Sequence, residues 1–77
     1  MENYDIEIDT SGLNCPLPVL KAKKALAGMN AGQRLHLIAT DIGSKQDIPA
    51  FCKMTANPLV ELIDQGQQLR FIIEKGA

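Results

Sequence analysis

The 77-residue chain has no tryptophan and only three aromatic side chains, Tyr4, Phe51 and Phe71. A stacking surface for unpaired bases is therefore not expected. Charge of either sign is not in excess: eight lysines and arginines against nine acidic residues give a net charge of −1. The basic footprint of general nucleic-acid binding is missing, and direct RNA binding is the least expected reading. No apolar run approaches the ~18 residues that cross a bilayer. The start, Met1-Glu2-Asn3-Tyr4-Asp5, is acidic and polar, without the apolar core of a signal segment. The chain is thus expected in the cytoplasm and away from membranes, where its two cysteines, Cys15 and Cys52, should stay thiols. Together with the single histidine, His36, they lack the spacing of a zinc site. No metal and no organic cofactor is expected, and neither a phosphate-cradling glycine loop nor a catalytic triad can be found.

Length sets further bounds. Residues 1–77 should form one domain. A chain this short buries only about 60% of its unfolded surface. Its core is thin, so function should lie on the surface or at one end of the fold.

What is present is a clear alternation of patterns. Tyr4–Asp9 alternates apolar and acidic residues, as a strand with one wet face does. Thr10–Asn14 has loop composition. Pro16 to about Ala27 reads as a helix with Val19, Ala22 and Leu26 facing the core, and Gly28–Gly32 turns the chain. Arg34–Thr40 is a second strand, with Leu35, Leu37 and Ala39 on one face. A second helix carries Ile48, Phe51, Cys52 and Thr55 at helical spacing. Ser44 with Asp47 could form a capping box at its start. The alternative, Asp47 itself as N-cap, is preferred here because it leaves Pro49 in the first turn, where proline is tolerated. Leu59–Asp64 and Leu69–Lys75 are strands around Gln65-Gly66, a hairpin signal.

The order is βαβαββ, an α/β chain. Two helices and four strands predict two layers, with both helices on one face of the sheet and the other face open to water. Glu7, His36, Arg70 and Glu74 suit that open face, and His36 reads as an ordinary surface residue.

The stretch Asn14-Cys15-Pro16-Leu17-Pro18 stands out. With Cys15 as N-cap, both prolines fall in the first helical turn, whose N–H groups have no helical partner anyway. Pro16 also biases Cys15 towards extended angles. The prolines would then fix the helix start and put the sulfur on its tip. A thiol there is stabilised as thiolate by the helix dipole. Pro18 has no N–H, which leaves Leu17 as the main donor facing the sulfur and predicts a modest depression of the thiol pKa. The motif is not C-x-x-C, because Pro18 occupies the place of a resolving thiol. A sulfur species on Cys15 would have no neighbour in the motif to release it. The plainer alternative is that the prolines only punctuate a helix start and Cys15 is a small hydrophobe.

On the wheel of the first helix Leu17, Leu20 and Lys24 lie opposite the core face, flanked by Lys21 and Lys23, and Met54 lies off the buried face of the second. Apolar side chains grouped beside a reactive thiol read as a docking surface for a partner protein. Cys52, one turn after Ile48, reads as a core thiol. Asp41, Lys45 and Asp47 form a charged cluster whose expected task is helix capping.

Asp9-x-x-Gly12-x-x-Cys15-Pro16-x-Pro18, then Gly32, then Asp47-Ile48-Pro49-x-Phe51-Cys52 resembles the TusA/SirA-like family of sulfur carriers over essentially the whole chain. The Asp47–Cys52 stretch is most similar to the member serving tRNA 2-thiouridine synthesis. The resemblance implies a two-layer sandwich with a mixed four-stranded sheet. It also implies that Cys15 takes persulfide sulfur from a cysteine desulfurase and relays it to an acceptor protein, as a sulfurtransferase in the relay sense. Lys23 would help to dock the partner, and Cys52 would not carry sulfur. Relatives serve sulfur oxidation, thiosulfate use, molybdenum cofactor assembly or selenium metabolism, so the pathway stays open. An interaction or regulatory module using Leu17, Leu20 and Met54 without sulfur chemistry is the other class.

Overall fold

The computed structural model describes residues 3–76. The element order is β1 (Ile6–Thr10), α1 (Leu17–Ala27), β2 (Arg34–Ala39), α2 (Ser44–Thr55), β3 (Leu59–Asp64) and β4 (Leu69–Glu74). The strands form one sheet in the order β1-β2-β4-β3. β1 runs parallel to β2, while β4 is antiparallel to both β2 and β3, so the sheet is mixed. The parallel pair is joined through α1, as a parallel connection requires a crossover. The β3–β4 connection is the expected hairpin, with Gly66 at φ 83° and Gln65 N–H donating to Gln68 O.

One face of the sheet meets the helices. Leu35, Leu37 and Ala39 of β2 and Leu69, Phe71 and Ile73 of β4 form a buried cluster with Ala22 and Leu26 of α1 and Ile48 and Cys52 of α2. The period of two on the strands and of about 3.6 on the helices delivers these side chains to a common interior. Pro18 is buried with Ala22 and Leu26 on α1, while Val19, expected in the core, is half-buried at its edge.

The opposite face is less open than its polarity suggests. Glu7, His36, Ile72 and Glu61 lie in register across the four strands, and Ile72 is 1% exposed. His36, expected at the surface, is also 1% exposed. The Tyr4 ring covers it at a centroid distance of 4.7 Å, and Nδ1 sits 2.9 Å from Glu7 Oε1. That contact and the Tyr4 hydroxyl bond hold the Glu7 carboxyl below its usual pKa. The cause of the burial is a central strand with a ring laid over it, which alternation along β2 cannot reveal.

The start of α2 also differs from expectation. Asp47 is not its N-cap: the helix begins at Ser44 after Gly43, with no side-chain cap, and Pro49 lies inside it. Ser44, Ile48 and Cys52 form its buried stripe, so core packing extends the helix one turn before the proline. Bonds from the Ser44, Lys45 and Gln46 N–H groups to the carbonyls three residues earlier, of Asp41, Ile42 and Gly43, wind that first turn. Asp47 is left to turn elsewhere.

Candidate functional site

The loop after β1 carries the cysteine motif. Asp9 Oδ1 accepts from Ser11 N–H at 2.9 Å and from Ser11 Oγ at 2.5 Å. The hydroxyl and then the amide hold the Asp9 carboxyl below its usual pKa. Gly12 follows at φ 82°, with its N–H bound to Thr40 Oγ1 at 2.8 Å. This bond ties the motif loop to the end of β2. An added Cβ would meet nothing within 4 Å, so only the backbone conformation demands glycine. Gly12→Ala is accordingly expected to cost about 1 kcal/mol. That should lower the melting temperature by roughly 4–8 °C, and an unchanged melting curve would refute this account of Gly12.

The helix start lies one residue later than the sequence suggested. Pro16, not Cys15, is the N-cap of α1, because Pro16 O accepts the first helical bond, from Leu20 N–H. Pro18 thus stands second in the helix, and the Cys15–Pro16 peptide is cis. The Leu17 N–H, expected to face the sulfur, is spent on Asn14 O at 2.9 Å. Cys15 is held instead from outside the helix: its N–H donates to Asp41 Oδ2 at 3.2 Å.

The sulfur itself faces a carboxylate. Cys15 Sγ donates to Asp47 Oδ2 at 2.7 Å. Acceptance of the S–H by Asp47, with some desolvation and the charges of Asp47 and Asp41, pushes the thiol pKa up. This reverses the expected depression, since the Leu17 donor is spent elsewhere and an anion in contact outweighs the helix dipole. Asp41 and Asp47 therefore serve Cys15 rather than a helix cap, and Lys45 pairs with Asp64 at 2.8 Å. Gly43 makes the room: a Cβ there would lie 2.9 Å from Asp41 Oδ2 and 3.8 Å from Cys15 Cβ. A lone Asp41 or Asp47 in sequence carries no sign of this contact; the only hint was their shared loop and helix start.

Cys15 is exposed and Cys52 is buried, both as free thiols. Cys52 is 4% exposed, and burial pushes its pKa up to about 11. A groove of about 570 Å³ opens beside Cys15, lined among others by Leu20 and Lys23 of α1 and Phe51 and Met54 of α2. Leu17, Leu20 and Met54 are exposed at 43%, 51% and 85%. Of the residues expected to dock a partner, Leu20, Lys23 and Met54 reach the groove wall. Leu17, Lys21 and Lys24 are exposed but lie off it. Ala50 and Phe51 complete that wall, and helical spacing alone does not mark them for docking, although Phe51 belongs to the motif. Among the described residues no group of three His, Cys, Asp or Glu could hold a metal ion. No described helix is long and apolar enough to cross a membrane.

Comparison with known proteins bears on this arrangement. The profile of the family described as Sulfurtransferase TusA matches residues 6–75. A sulfur carrier protein TusA from Allochromatium vinosum is 53% identical over 75 residues, covering 97% of this chain and 99% of that protein. The crystal structure of a SirA-like protein from Desulfitobacterium hafniense superposes with a TM-score of 0.82 at 28% identity. The match covers 95% of this chain and all of that one.

Proposed function

Because the chain belongs to the TusA family of sulfur carriers, we propose that Cys15 is the residue on which its sulfur travels. The protein accepts the outer sulfur of a persulfide on a cysteine desulfurase, holds it as Cys15–S–SH, and yields it to a thiol of an acceptor protein. The sulfur is destined for tRNA 2-thiouridine. That destination is supported by the resemblance of Asp47-Ile48-Pro49-x-Phe51-Cys52 to the family member serving tRNA 2-thiouridine synthesis. One observation carries the carrier reading: an exposed thiol sits at the mouth of an apolar groove, while the second thiol is sealed in the core. Leu20, Met54 and Phe51 offer the partner an apolar seat, and Lys23 a charge at its edge. The chain is proposed to act as a single domain over residues 1–77, needing no cofactor of its own.

Intact-mass spectrometry without reductant, after incubation with a cysteine desulfurase and cysteine, tests the reading. Wild-type protein is expected to gain one sulfur atom that dithiothreitol removes. No gain from several desulfurases, nor from thiosulfate transferases as donors, would sink it in favour of an interaction module.

A further inference from the structure

The contact between Cys15 and Asp47 is unexpected for a sulfur that must attack. The thiolate is the nucleophile in sulfur exchange, yet the groups nearest this thiol favour its neutral form. Asp47 approaches from α2 at 2.7 Å, and Asp41 approaches from the β2–α2 loop onto the Cys15 amide. From α1 the charged group on the same groove is Lys23. The space over Gly43, where a Cβ would crowd Asp41, lets both carboxylates close on one residue.

Resting on the carrier reading, we propose that Asp47 is a specificity-determining residue. Its carboxylate pins the Cys15 sulfur, proton included, at the groove mouth and restrains it from small persulfides and electrophiles, reserving loading for a docked protein donor. The raised thiol pKa agrees with that geometry. In the loading step Cys15 gives its proton to solvent and its thiolate attacks the outer sulfur of the donor persulfide. The donor's S–S bond breaks, and the departing thiolate takes up a proton. No oxidant or reductant is required, because one S–S bond replaces another.

The test compares wild type, Asp47→Asn and Asp41→Asn by the rate of Cys15 alkylation with iodoacetamide across pH. Removing the Asp47 charge, whose Oδ2 lies 2.7 Å from the sulfur, should raise the thiolate population at neutral pH at least about fivefold, the effect of a unit charge about 4 Å away in water. Asp47→Asn is therefore expected to alkylate at least about five times faster at pH 7 and to converge with wild type at alkaline pH. Asp41→Asn, which keeps the Sγ contact, should shift the profile less. Loading from glutathione persulfide should rise in Asp47→Asn by a similar factor, with no such gain from a desulfurase. Superimposable alkylation profiles for wild type and Asp47→Asn would overturn the proposal, as would equal acceleration with both donors. Failure of wild type to load from any protein donor would instead remove the carrier reading, and the alkylation profiles would still decide what Asp47 does to the thiol.

Discussion

Cys15→Ser should lose sulfur loading completely, while Cys52→Ser should load as wild type does. Serine keeps the shape of cysteine and can still donate to Asp47, so the fold and the groove should persist. What it lacks is a sulfur that can form an S–S bond, and no variation of pH or donor restores one. The contrast with Cys52 is the informative half. That thiol is 4% exposed, and with a pKa pushed up to about 11 roughly one molecule in ten thousand would carry its thiolate at pH 7. It can neither reach a partner nor attack. Intact-mass spectra of the two variants, with circular dichroism to establish folding, check this directly. Added sulfur on folded Cys15→Ser would show that the carrier atom lies elsewhere.

The second large effect concerns stability. Phe71 is 0% exposed on β4, paired with Leu37 on β2 and with Leu62 on β3. Phe→Ala at such a site typically costs about 3–5 kcal/mol through lost transfer free energy and the cavity left behind. A chain of this length has roughly 4–11 kcal/mol in total. Phe71→Ala should thus remove between about a quarter and all of it. Guanidinium titration should show the midpoint falling steeply with little change in slope. A loss below about 1 kcal/mol would mean that the core does not centre on Phe71.

Much of this was legible in the residues. The βαβαββ order, the hairpin at Gln65-Gly66, the exposure of Leu17, Leu20 and Met54, and the burial of Cys52 follow from patterns repeating over a few residues. Hydrophobic period is a local property, and a small two-layer fold leaves it few ways to be satisfied. The start of α2 was read wrongly for an equally physical reason. Proline disfavours a helix interior, but the burial of Ser44 with Ile48 and Cys52 on one stripe, which places helix before Pro49, depends on the tertiary packing of α2.

Taken alone, then, the sequence determined the layers, the faces and which cysteine meets water, because each rests on neighbours within a helical turn or a strand. Tertiary structure decided the surroundings of the Cys15 sulfur. Cys15 and Asp47 are 32 residues apart, and local reasoning supplied only the helix dipole and so predicted a more acidic thiol. Folding brings α2 beside the start of α1, spends the Leu17 N–H on Asn14, and sets a carboxylate against the sulfur. It likewise slides Tyr4 over His36. A charge in contact outweighs a helix dipole, and only the folded chain creates that contact.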